Sequence, residues 1–423
     1  MSSDGALTGL RIADLTIITA GASATQILAD LGAEVIKIEA ASYPDPFRHW
    51  LGEGDDEVSE PWNVSPPFNA VNRNKYGITL DLKHPLGREA FLRLVAISDV
   101  VAENFRRGVM DRLGLGIEAL RAVRPDLVMV SLSSQGATGP EAGYGSFGST
   151  LDALSGLMSI TGYDADSPTW SSNEVNYPDQ VVSIFGAAAI LMGVRHRRRT
   201  GQGTYIDVSQ RELVTSMLGE AVLDYTVNQR IARPQGNRDR TRVPHGVFRC
   251  QGDDQWLAIA VSDDAQWAAL CRVMCRPELA DDERFVTLPA RWAHESEIES
   301  LVGEWTATQD KHSAMQALQA AGVPAGAVLN GPDLLEDPHL AQRGFYQEVV
   351  HPTAGAQRQR TWPFRLSRTP ASIRRPAPRL GEHTHELLGG LLGYSDDEIV
   401  ELEAAGVTGR SPRPREPAGA ACR

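Results

Sequence analysis

The sequence predicts an α/β protein: a parallel sheet covered by helices, with a smaller α+β region set into the middle of the chain. Three observations predict it. Strand and helix patterns alternate through the first half of the chain, the rhythm that gives parallel sheets. The character changes near residue 235, where the polar linker GNRDRTRVPHG leads into a hairpin pattern. Helical periodicity then returns at 382–405, after a stretch crowded with Pro and Arg. The predicted organisation is a large domain over 1–234, a small α+β domain over 235–345, a return to the large domain over 346–410 and a disordered tail over 411–423.

The first strand is RIADLTI (11–17), an apolar run. Small residues follow, and Ser23 with Gln26 matches a capping box ahead of the helix ATQILADLG. EVIKIEA (34–40) and YGITLDL (76–82) read as the next two strands, and HPLGREAFLRLVAIS as a helix with Pro85 in its first turn. DVVAEN (99–104), DLVMVSLSS (126–134) and TYIDVS (204–209) are further strands. Residues 179–197 read as a helix whose basic end, Arg195 to Arg199, is a solvated complement to the macrodipole. Another helix runs to about Val227, and VFRCQGDDQWLAIAV is a hairpin turning near Gly252-Asp253. In a parallel sheet of this kind, ligands sit at the carboxyl ends of the strands.

Composition narrows the function. The chain has 423 residues, 42% apolar and 22% charged, enough for a normal core. Its formal net charge of −13 argues against non-specific nucleic-acid binding, but not against an anionic small ligand held by a local positive patch. Cys250, Cys271, Cys275 and Cys422 form no zinc-site spacing and read as free thiols in a reducing compartment. The start MSSDGALTGL lacks the pattern of a signal peptide, and the apolar stretch 184–194 is too short to span a bilayer. A cytoplasmic address is expected. No Gly-x-Gly-x-x-Gly follows a strand, and there is no Walker loop, no Gly-x-Ser-x-Gly elbow and no zincin His pair. The common dehydrogenase, NTPase, hydrolase and metalloprotease readings fall away.

The segments GLRIADLT…ADLGAEVIKIE, NRNKYGITLDL, VVAENFRRGVMDRLGLG, SLSSQGATGP and TGQGTYIDVS, with DPHLAQRGFYQEV and LGEHTHELL later, stand in an order spanning nearly the whole chain. Together they resemble the family III CoA-transferases, a family that includes formyl-CoA transferase, carnitine CoA-transferase and succinyl-CoA:benzylsuccinate CoA-transferase, and also α-methylacyl-CoA racemase. The resemblance implies a Rossmann-like large domain built from both chain ends, a smaller domain from the middle, and two ring-shaped chains interlocked in a dimer. It implies acyl-CoA and a free carboxylic acid as substrates, with no metal. By resemblance, Asn72, Arg73, Lys75, Asn104, Phe105, Arg106 and Arg112 hold coenzyme A, whose phosphates need fixed cations. An Arg that often follows the IKIE segment is Ala40 here, leaving Arg48 or Arg107 to compensate.

The resemblance also marks Asp179, in NYPDQVVSIFG, as the catalytic nucleophile. Its place after Pro178 at a predicted helix start favours the carboxylate form. The same place suits a plain cap residue, and the resemblance decides for catalysis. The Gly-rich stretch 136–148 is a candidate source of backbone N–H donors for an oxyanion. Two alternatives remain. An acyl-CoA racemase needs a His paired with an Asp, but its position is Phe147 here and no His lies between His84 and His196. A non-catalytic partner chain of a heteromer would lack the nucleophile, which is present. The substrates are not fixed by the sequence. The YPDQ setting is similar to dicarboxylate enzymes and points to succinyl-CoA as donor, and Trp170 and Tyr177 are placed to border an acyl group.

Overall fold

Six short strands form one sheet: β1 (Arg11–Asp14), β2 (Glu34–Glu39), β3 (Tyr76–Thr79), β4 (Val100–Glu103), β5 (Val128–Ser133) and β6 (Thr204–Ser209). Their order is β3-β2-β1-β4-β5-β6 and every pairing is parallel. The computed structural model describes residues 5–52, 54, 57–171 and 175–413. The chain divides into two compact units. One comprises Met1–Met158, Trp170–Ile231 and Gln342–Arg423, and the other Ser159–Thr169 and Ala232–Ala341.

In the first unit the connections are helical: α1 (Ala20–Asp30), α2 (Pro66–Asn72), α3 (Pro85–Ala96), α4 (Val109–Arg112), α5 (Ile117–Val123), α6 (Gly148–Leu154), α7 (Tyr177–Thr200), α8 (Gln210–Ser216) and α9 (Gly219–Asn228). Neighbouring strand residues serve opposite faces, so both faces are apolar and the strands read as continuous runs. Ile12, Val35, Val100 and Val128 pack with Ala24, Leu28, Val182 and Ile190 of α1 and α7. Ala13, Ile36, Val101 and Met129 pack with Phe91, Leu94 and Leu120 of α3 and α5. Each such fully buried side chain contributes about 1.5–3 kcal/mol.

Two elements differ from expectation. β1 stops at Asp14 because that carboxylate takes the Thr16 N–H at 3.0 Å and the Thr16 hydroxyl at 2.5 Å, which turns the chain out of the ladder. α1 starts at Ala20, so Ser23 lies inside the helix, its buried hydroxyl without a partner, and the expected capping box with Gln26 does not form. α7 is 24 residues long and apolar enough to cross a membrane, but much of it is buried against the sheet, as in a core helix. Its basic end is not simply solvated. Arg197 pairs with Asp99 at 2.5 Å and Asp126 at 2.6 Å.

The second unit holds an antiparallel sheet of β7 (His245–Arg249), β8 (Trp256–Ala260) and β9 (Ala325–Ala327). The β7–β8 turn contains Gly252 at φ 105°, where the hairpin was expected. Phe248, Leu257, Trp267, Ile298 and Leu318 form its core.

The chain then returns to the first unit. A hairpin of β10 (Tyr346–His351) and β11 (Gly355–Arg360), not anticipated from the sequence, precedes helices Thr384–Gly390 and Asp396–Ala404. These close onto β3: Gly77 N–H bonds to His383 Nδ1 at 3.1 Å and Thr79 N–H to Thr384 Oγ1 at 3.0 Å. Of the expected tail, residues 414–423 lie outside the described residues, and Arg413 N–H bonds to the Ala41 carbonyl at 2.8 Å.

Candidate active site

The strand order reverses between β1 and β4, so the crevice beyond their carboxyl ends is where an open parallel sheet binds its ligand. The β1–α1 turn, residues 15–19, and the segment after β4, Asn104 to Arg106, meet there. Asn104 accepts from Ile17 N–H at 2.8 Å and donates to the Ile17 carbonyl at 2.9 Å.

The eight residues expected to hold coenzyme A fall into two groups. Arg48, Asn72, Arg73 and Lys75 are at most 1% exposed. Arg48 grips Glu39 through two bonds of 2.8 Å and lies over the Phe68 ring. Arg73 pairs with Asp30 at 2.7 Å. Lys75 donates to Asp14, the Ala22 carbonyl and Asn72 Oδ1, each at 2.9 Å. Burial, opposed by Asp14, pulls Lys75 down to about 8, while against its own burial Arg48 holds Glu39 down at about 2. These cations are neutralised internally and present no charge to a ligand. Sequence reading saw cations near strand ends but not the carboxylates, Asp14, Asp30 and Glu39, that face them.

The second group follows β4. Asn104 is committed to Ile17. Phe105 is half-buried against the core. Arg106 is exposed and donates to the Gly143 carbonyl at 2.9 Å, which lays it along the Gly-rich stretch. Arg112 is exposed in the last turn of α4. Among the described residues neither arginine pairs with a carboxylate, so both charges face solvent at the end of the sheet that binds ligands.

Asp179 sits in the first turn of α7, with Pro178 before it and Asn176 at the cap position. It is half-buried, and among the described residues no hydrogen bond holds its carboxylate. Ser183, one turn on and buried, places its hydroxyl 3.0 Å from the Ala20 carbonyl and 2.7 Å from that of Asp179, which sets the start of α7 against the first residue of α1. Burial, and then the charge of Asp152, push Asp179 up to about 6. The helix start, expected to favour the carboxylate form, is outweighed by burial and a like charge. Most Asp179 groups are still ionised at pH 7.

Residues 7–384 match the model of the family described as CoA-transferase family III. The chain belongs to that family and is a CoA-transferase. It is 33% identical over 398 residues to succinyl-CoA–D-citramalate CoA-transferase of Chloroflexus aurantiacus, covering 94% of this chain and 97% of the relative. It is also 33% identical over 398 residues to the alpha subunit of succinyl-CoA–L-malate CoA-transferase of Chloroflexus aurantiacus, covering 94% and 91%. The crystal structure of a CAIB/BAIF family protein from Brucella suis superposes with a TM-score of 0.82 at 30% identity, over 92% of this chain and 100% of that one.

Two features of the transferase were missed in the sequence. One is Ser183. The other is Asp152 in α6, which is buried. Its Oδ2 takes the Ser171 N–H and hydroxyl, both at 2.8 Å, while Oδ1 is buried with no partner among the described residues. An acid within the apolar pattern LDALSG was the available signal. Trp170 and Tyr177 are 42% and 40% exposed, so these rings are not core residues of the transferase. In the Gly-rich stretch, the N–H groups of Ala137 and Phe147 already bond to Asp207 and Thr150, and those of Ala142 and Tyr144 to the Gly139 and Glu141 carbonyls. Any oxyanion donors there come from its other residues.

Proposed function

We propose that this transferase moves coenzyme A from succinyl-CoA to a carboxylic acid, with Asp179 as covalent nucleophile. The observation that carries the reading is the half-buried Asp179 carboxylate, unheld by any described side chain, on a helix start that Ser183 sets against Ala20, the first residue of α1. The names of the relatives support succinyl-CoA as donor.

The chemistry follows from what a carboxylate does to a thioester. An Asp179 oxygen attacks the thioester carbonyl, the C–S bond breaks, and the electron pair leaves on the CoA thiolate, giving a mixed anhydride. The thiolate attacks the aspartyl carbonyl, the C–O bond to the donor acyl group breaks, and succinate departs, leaving an aspartyl-CoA thioester. The acceptor carboxylate attacks that thioester and forms a second anhydride. The thiolate then attacks the acceptor's carbonyl and frees Asp179. No net proton is consumed, and bond types are conserved. Arg106 and Arg112 supply fixed cations for the CoA phosphates.

Assembly as a dimer belongs to the same reading. α9 has no buried residue, yet it carries Leu223 at 63% and Val227 at 75% exposure, with Ile231 at 73% just beyond it. Apolar side chains left open on one helix suit a surface that another chain covers. A homodimer is the simplest form, and pairing with a similar chain is the alternative, since one relative is named as a subunit.

The test is Asp179→Ala, with transfer from succinyl-CoA to a panel of acids read by mass spectrometry. Transfer is expected to vanish while CoA binding persists. Retained turnover would remove Asp179 from the mechanism.

A further inference from the structure

The turn between β1 and α1 keeps a β-branched residue in a conformation it disfavours. Ile18 has φ 59°. In that region the branched Cβ crowds the backbone, so Ile departs from it unless its surroundings forbid the change. Here they do, from both sides. Asn104 holds the Ile17 N–H and carbonyl at 2.8 and 2.9 Å. Asp45 accepts the Ile18 N–H at 3.2 Å, and Lys37 donates to the Thr16 carbonyl at 2.7 Å. Asp14 holds the Thr16 N–H at 3.0 Å, and Lys75 holds the Ala22 carbonyl at 2.9 Å. The four charged groups are fully buried and pair as Lys37–Asp45 and Lys75–Asp14, each at 2.9 Å. Gly21 completes the fit, since a Cβ there would lie 2.5 Å from Thr16 Cβ and 3.1 Å from Asn104 Cγ.

Stability alone does not call for this arrangement. Buried ion pairs contribute little compared with apolar residues of the same volume. Strained residues persist where the surroundings over-determine them, and such places cluster at ligand clamps. This one lies at the switch point, next to Ala20, against which Ser183 sets the start of α7.

We propose that Asn104, Asp45 and Lys37 are positioning residues that lock Ile18 left-handed, so that the β1–α1 turn is preformed for the reacting thioester. Asn104 then acts through the turn. A preformed turn needs no reorganisation when the acyl group arrives, which favours the transition state. The proposal rests on the reading of Asp179 as nucleophile.

The experiment compares Asn104→Ala, Ile18→Gly and the double variant in the full chain, by kcat/KM for succinyl-CoA, calorimetric CoA affinity and thermal midpoint. Asn104→Ala is expected to lower kcat/KM roughly tenfold to a hundredfold, the effect of misplacing a group by about 1 Å. Ile18→Gly, which adopts the same φ without opposition but gives up the Ile18 side-chain packing, is expected to lose less kcat/KM than Asn104→Ala. The double variant is expected to regain most of what Asn104→Ala loses. A double variant no better than Asn104→Ala, or an Asn104→Ala that lowers only the thermal midpoint, overturns the proposal. Should Asn104→Ala fail to fold, Asn104→Asp, which keeps the acceptor for Ile17 N–H, carries the same comparison. A wild type that binds CoA but transfers nothing from succinyl-CoA defeats the functional reading instead, and the same variants then test the lock through CoA affinity alone.

Discussion

At the scale of single residues, Asp152 and Asp179 are two carboxyl groups in different settings, one held by Ser171 and one unheld. In the proposed mechanism Asp179 attacks only when ionised. Because its value is raised to about 6 from an ordinary 3.8, activity should fall as pH drops through about 6 and hold above it. Asp152→Asn keeps an acceptor for Ser171 but removes the charge. The acid limb of the kcat/KM profile should then move down, toward the ordinary carboxylate range. The other charged groups on helices packed against α7 near its start are Arg211, which pairs with Glu141, and Glu212, both on α8. A limb that stays near pH 6 in Asp152→Asn would mean that burial alone sets it. A second contrast separates buried from ligand-facing cations. Arg48→Ala leaves Glu39 buried without its partner and should cost about 3–5 kcal/mol in denaturant unfolding. Arg106→Ala should change stability by less than about 0.5 kcal/mol but weaken CoA binding, read by calorimetry. Equal effects on stability would refute the division.

At the scale of elements, all six strands of the parallel sheet were legible, the inner ones because strands buried on both faces read as apolar runs and the edge strand β6 through its alternating pattern. Their ends were not. β1 was read through residue 17, but the Asp14–Thr16 bonds stop it at Asp14, and no periodicity reports a side chain turning back on its own backbone. The false capping box at Ser23 came from the same place, since small residues fit a turn and a helix start alike. The β10–β11 hairpin was hidden because its strands are largely exposed and polar, so the apolar signal was weak. In the candidate site, Asp179 was legible through resemblance and helix-start chemistry. The burial of Arg73 and Lys75 was not, because it depends on carboxylates far away in sequence. Arg73 and Asp30, for example, are 43 residues apart.

At the scale of the whole molecule, the C-terminal segment completes the first unit by bonding to β3 across 305 residues of sequence. Legibility there came from the return of helical periodicity. Assembly is the property least visible in one chain, and the proposed dimer rests on α9. Leu223→Asp with Val227→Asp should convert a dimer of about twice the chain mass to a monomer in light scattering. A wild type that already runs as a monomer would remove the dimer from the account. The central claim, covalent catalysis by Asp179, is met most directly by intact-mass spectrometry of the protein mixed with succinyl-CoA and quenched in acid. The account predicts a CoA or succinyl adduct that maps to Asp179 and disappears on adding an acceptor acid. An unmodified chain that still turns over, or an adduct on another residue, would contradict it.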